Sequence, residues 1–161
     1  MVDTLLKVQI AESVPLIRRL TFYQKSLAAG VGDPSEIDDE GQPIFLYASR
    51  EVDRADCVFT VNGDSMEPEY HNGDMVLVSR IPDAPDLQLG EVGPFIVGNE
   101  TYITVYREEG LESLNPKYPI MHFHDAESVY LIGRVTGILD PKQVATAQDV
   151  DKFQMLHPEG I

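Results

Sequence analysis

Ser65 is the residue of this chain best placed to act as a nucleophile. It lies in Phe59-Thr60-Val61-Asn62-Gly63-Asp64-Ser65-Met66-Glu67-Pro68-Glu69-Tyr70-His71-Asn72-Gly73-Asp74-Met75-Val76-Leu77-Val78. Phe59 and Val61 alternate as on a strand, and Asn62-Gly63-Asp64 supplies the turn residues that stop pairing. Met75 to Val78 read as a second strand after Asn72-Gly73-Asp74, so Ser65 is expected on a glycine-bounded turn at a strand end. A serine hydroxyl attacks a carbonyl only when a neighbour takes its proton, and a lysine can do so once burial has lowered its pKa. No lysine occurs between Lys25 and Lys117. Arg107, the nearest cation on the following strands, stays protonated and cannot serve. His71 is the histidine nearest to Ser65 in sequence, but Tyr70-His71-Asn72-Gly73 reads as an exposed turn.

The elements that must position Ser65 read as a mainly β domain. From Phe45 onward short apolar runs are divided by Gly, Asn and Pro, the pattern of bent, twisted sheets. Gly98-Asn99 between two apolar runs predicts a tight hairpin. Alternation beyond it puts Tyr102, Thr104 and Tyr106 on one face and Ile103 and Val105 on the other. Short helical segments are expected at the termini. Leu5, Leu6, Val8 and Ile10 suggest an amphipathic helix or a linker remnant ending near Val14-Pro15. The tail from Pro141 to Leu156 suggests a helix that begins at the proline, with Val144, Val150, Phe153 and Leu156 free to pack on the domain or on a second subunit.

Gly63-Asp64-Ser65-Met66, Pro68 and Gly73-Asp74 before an apolar strand closely resemble the LexA and phage CI-type repressors, whose C-terminal domains are self-cleaving Ser-Lys peptidases. Further blocks follow in that family's order: Gly90-Glu91-Val92-Gly93 with Phe95, Glu100-Thr101-Tyr102-Ile103, Ser113-Leu114-Asn115-Pro116-Lys117-Tyr118-Pro119, and Ile132-Gly133-Arg134-Val135. The resemblance implies a cleavage site at Ala29-Gly30 within Leu27-Ala28-Ala29-Gly30-Val31-Gly32-Asp33. Small residues suit it, because an extended backbone must bring its carbonyl to about 3 Å from the serine oxygen. It also implies a catalytic pair of Ser65 with the residue at position 104, and an oxyanion site made by the backbone N–H groups of Ser65 and Met66.

Position 104 departs from that pattern, since it holds a threonine where the family has its lysine. A natural loss, a deliberate replacement or a base located elsewhere would each account for it. Lys117 belongs to a different block and would act only if the chain path left the family's. The expected organisation is a linker or helix remnant at 1–26, a cleavage-site loop region at 27–41, a LexA-like peptidase and dimerisation domain at 42–140, and a tail at 141–161. The reading of function is a repressor's C-terminal regulatory domain that is inactive in self-cleavage; the alternative is a non-catalytic dimerisation and partner-binding domain. Neither needs a cofactor. The implied partners are a second copy of the chain and a recombinase filament or antirepressor, with DNA reached only through an N-terminal helix-turn-helix domain absent from this chain.

Charge and composition narrow the remaining classes. With 27 acidic against 12 basic residues the chain carries a net charge of −15, which opposes direct contact with a phosphate backbone. No apolar run approaches the roughly 18 to 20 residues needed to cross a bilayer, and the N-terminus lacks a signal peptide's basic start and apolar core. A lone Cys57 excludes an internal disulfide, and a cytoplasmic location is expected. His122 and His124 with Asp125 lack a third ligand at a recognisable spacing, so surface histidines are the expectation and no metal site is assigned. The acidic stretch 33–41 lacks the Asp-x-Asp-x-Asp-Gly spacing of a calcium loop and reads as solvated.

Overall fold

In the computed structural model, residues 14–24, 41–80, 87–126 and 128–159 are described. They form a mainly β domain of two five-stranded sheets. The first contains β1 (Ile17–Tyr23), β2 (Gln42–Tyr47), β3 (Cys57–Thr60), β4 (Met75–Arg80) and β10 (Gly133–Ile138), in the order β10-β4-β3-β1-β2. The second contains β5 (Val92–Val97), β6 (Glu100–Tyr106), β7 (Gly110–Glu112), β8 (Met121–His122) and β9 (Val129–Leu131), in the order β8-β7-β6-β5-β9. All pairings are antiparallel except that of β1 with β3.

The period of two explains how the first sheet becomes central. Cys57, Phe59, Val76 and Val78 pack with Tyr23, Ile96 and Ile132 in the core shared by the sheets, whereas Val58 and Leu77 pack with Leu46, Val52 and Leu139 on the opposite face. Between β2 and β3 runs the short helix α1 (Arg50–Asp53), capped by the Ser49 hydroxyl, which accepts from Val52 N–H at 3.1 Å. The two sheets join at glycines that admit close backbone approach. A Cβ on Gly93 would stand 2.3 Å from the Gly133 carbonyl oxygen, and one on Gly133 would stand 2.3 Å from that of Ser79.

Ile17–Tyr23, within the span read as linker or helix remnant, is a strand of the sheet, hydrogen-bonded on both sides by β2 and β3. Its Arg18 and Arg19 interrupt the apolar alternation that marks a strand in sequence, and Arg18 Nε pairs with Asp53 at 3.0 Å. The Leu5–Ile10 segment and the Ala29-Gly30 bond lie outside the described residues.

The tail packs on its own domain. Pro141–Gln143 is a 3-10 turn with Asp140 as its cap, and helix α2 (Ala147–Leu156) starts later, capped by Thr146. Val150 and Phe153 bury against Ile17, and Tyr47 Oη donates to Asp149 Oδ2 at 2.5 Å. No helix among the described residues is long and apolar enough to cross a membrane.

Candidate active site

The turn that carries Ser65 is pinched at its base and pinned at its tip. Val61 N–H donates to the Asp74 carbonyl at 2.8 Å and Gly73 N–H to that of Val61 at 2.8 Å, closing the excursion between β3 and β4. Within it Gly63 N–H donates to Asn72 Oδ1 at 2.7 Å, and Gly63 and Gly73 take φ of 85° and 90°, which only glycine adopts readily. Met66, 1% exposed, anchors the turn in the core. Its carbonyl accepts from Tyr70 N–H at 2.9 Å, and Glu67-Pro68 is a cis peptide. The backbone N–H groups of Ser65 and Met66 donate to no other described residue.

A second block, some fifty residues away in sequence, holds the turn from outside. Asn115 N–H donates to the Ser65 carbonyl at 2.9 Å, and Asn115 Nδ2 to the Asp64 carbonyl at 3.1 Å. Asn115 is itself set by a local turn, its Oδ1 accepting from Lys117 N–H at 3.1 Å. Lys117 and Tyr118 then close on the Asp64 side chain, which accepts from Lys117 Nζ at 2.7 Å and from the Tyr118 hydroxyl. The Lys117 hydrogen bond, followed by that from Tyr118, holds the Asp64 carboxyl below its ordinary 3.8. The same contact holds Lys117 above 10.5 and Tyr118 above 10.0. In sequence, Asn115 and Tyr118 stand only in a landmark block, and nothing local says which distant turn that block grips.

Ser65 and Thr104 line one cleft of about 390 Å³. Asp64, Glu100, Tyr102, Ser113 and Tyr118 line it too. The hairpin register explains the presence of Thr104: Val97 pairs with Glu100 across Gly98-Asn99, so Thr104 falls opposite Gly93 with its side chain on the Tyr102 face. Thr104 is 2% exposed, and its Oγ1 has no hydrogen-bond partner among the described residues. A smaller cavity of about 50 Å³ lies against Ser65, Thr60, Thr101 and Ile103. Tyr106 shares the face of Thr104 but packs against Phe95 and Phe123, ring centres 6.2 Å away in each case, so aromatic packing draws it from the cleft.

The other titratable candidates are engaged or remote. Lys117 is kept charged by Asp64, the reverse of what a lysine base requires. His71 is largely exposed beside Asp74, and Arg107 pairs with Glu112 at 2.8 Å. His122 and His124 lie with ring centres 5.3 Å apart, and among the described residues no group of three or more possible ligands could hold a metal ion.

A mainly β domain of two curled sheets, with a serine turn opening on a cleft, is the architecture of a serine-peptidase-like domain. The family model described as Peptidase S24-like matches residues 21–136, and the chain belongs to that family. No curated protein matches the chain.

Proposed function

We propose that this chain is the C-terminal regulatory domain of a LexA or phage-type transcriptional repressor that does not cleave itself. A single observation carries the reading: the position facing the Ser65 cleft from β6 holds a buried threonine hydroxyl, Thr104, and no amine. Without a base the Ser65 proton has no acceptor, and attack on the Ala29 carbonyl loses the general-base contribution of about 10²–10⁴-fold. The engaged state of Lys117 supports this, because an ammonium hydrogen-bonded to a carboxylate cannot take a proton. The N–H groups of Ser65 and Met66, unengaged among the described residues, support an oxyanion site kept from a cleaving relative.

In this reading the domain acts by assembly. It would form a homodimer, so that two DNA-reading N-terminal heads bind together through effective concentration. Its acidic charge leaves DNA contact to those heads.

The test is to restore the amine. The Thr104→Lys variant, incubated at mildly alkaline pH, is expected to break into two fragments that meet between Ala29 and Gly30 by intact mass, while the unaltered chain keeps its full mass. Adding Ser65→Ala to the lysine variant should silence it. Cleavage of the unaltered chain at that bond, accelerating with pH, would overturn the reading.

A further inference from the structure

The second sheet ends at β9, and the register there decides which backbone groups face outward. Ile132 N–H donates to the Pro94 carbonyl at 3.0 Å, and Gly98 N–H to that of Ser128 at 3.1 Å. In an antiparallel ladder, residues that exchange hydrogen bonds alternate with residues that do not. Tyr130, midway between these two contacts and opposite Ile96, therefore turns its N–H and C=O toward β5, while Val129 and Leu131 turn theirs away from it. Those outward groups have no partner among the described residues. Free donors and acceptors on two alternate residues are a template for one more strand.

The same two residues line an apolar cavity of about 210 Å³, with Phe95, Tyr106 and Phe123 among its other walls. A strand added antiparallel to β9 would set residues directly opposite Val129 and Leu131, and opposite residues project to the same face. Its positions i and i+2 would thus lie over the cavity while its main chain bonded the edge. The outer edge of β2 is closed by comparison: Val144 bridges to Leu46, and Ala145 N–H donates to the Phe45 carbonyl at 2.8 Å.

Local charge selects the occupant. Phe123 of the cavity wall donates its N–H to the Glu109 carbonyl at 3.1 Å, and Glu108, Glu109 and Asp125 beside it are exposed. Arg107 is already paired with Glu112, and His124 lies 3.4 Å from Asp125. On a chain of net charge −15, these carboxylates repel a second copy and attract a basic segment.

We propose that the β9 edge takes an extended segment of a basic polypeptide partner as an added antiparallel strand, with apolar residues two apart over the cavity and Lys or Arg beside them. Main-chain hydrogen bonds supply the affinity and the cavity supplies the selectivity. The inference uses neither Ser65 nor Thr104 and goes beyond the regulatory reading above.

The probe is the blocked pentapeptide Lys-Leu-Thr-Leu-Lys, added to the intact chain while backbone amide resonances and amide hydrogen exchange are followed. Saturable shifts and slowed exchange at Val129 and Leu131 are expected. The same peptide N-methylated on both leucines keeps every side chain but loses the two donors aimed at the edge, and should bind at least about tenfold more weakly. Serine in place of the leucines, or glutamate in place of the lysines, should also weaken binding, the second most strongly at low salt. In the chain, Val129→Pro deletes an outward N–H and leaves the β5 ladder intact; it should bind roughly fivefold more weakly than Val129→Ala. No saturation, or undiminished binding by the N-methylated, serine or glutamate peptide, would overturn the proposal. Slow exchange of the Val129 and Leu131 amides in the dilute free chain would mean that the chain covers its own edge, and a concentration-dependent dimer abolished by Val129→Pro would mean that a second copy does; either would overturn it. Should Val129→Pro fail to fold, the peptide series alone decides. Because binding is read without any cleavage, failure here is distinct from failure of Thr104→Lys to cleave.

Discussion

Asn115 grips the two peptide units that flank Ser65, donating from its N–H to the Ser65 carbonyl at 2.9 Å and from Nδ2 to the Asp64 carbonyl at 3.1 Å. Two hydrogen bonds to adjacent carbonyls fix the direction in which the turn presents its hydroxyl. Asn115→Ala removes the Nδ2 bond and also the Oδ1 acceptor that shapes the Lys117 turn. The expected loss is about 1–2 kcal/mol of unfolding free energy by chemical denaturation. In a Thr104→Lys background the same change should slow fragment release while leaving the pH midpoint of the rate unchanged, because it moves the serine and not the base.

The Asp64 contacts predict a stability plateau with two edges. Lys117 and then Tyr118 hold the Asp64 carboxyl low, so its contribution is present above 3.8 and is lost as pH falls through the lower folded value. Asp64 holds Lys117 high, so that contribution is present below 10.5 and is lost as pH rises through the higher folded value. The groups are exposed, and salt should shrink the effect. Denaturation midpoints of the chain and of Asp64→Asn, taken across pH, should differ most on the plateau and converge at both ends. A constant difference across the whole range would count against the pairing.

What could be read from sequence was what local chemistry decides. Gly98-Asn99 declared its hairpin because a two-residue turn with a glycine at φ of 61° leaves few alternatives, and the period of two then placed Thr104 on the cleft face. Ser65 declared its turn through Gly63 and Asp64 in the same way. Ile17–Tyr23 stayed hidden because Arg18 and Arg19 break its alternation, and its place between β2 and β3 is set by pairing with distant segments. The grip of Asn115 was hidden for the same reason: turn propensity is local, but the carbonyl that a turn binds is a property of the fold.

Strand β10 gives a sharp contrast between two of its glycines. A Cβ on Gly133 would meet the Ser79 carbonyl oxygen at 2.3 Å and Val78 Cγ1 at 2.9 Å, whereas one on Gly137 would meet nothing within 4 Å. Gly133→Ala must push β10 from β4 and is expected to cost about 1–3 kcal/mol or more. Gly137→Ala should be neutral or stabilise by about 0.4–1 kcal/mol through the unfolded chain. Thermal unfolding of the two variants side by side checks this, and equal behaviour would contradict the close approach at Gly133.

Thr104 offers a test that needs no activity at all. Its hydroxyl is buried and unpartnered among the described residues, so exchanging the oxygen for a methyl group of similar volume removes a desolvation cost without opening a hole. Thr104→Val is therefore expected to raise unfolding free energy by about 1 kcal/mol, against the usual tendency of core substitutions to destabilise. Thr104→Ser keeps the oxygen and deletes a methyl group, and should destabilise. A fall in stability for Thr104→Val would mean that the hydroxyl has a partner in solution, and its burial without a hydrogen bond would be refuted.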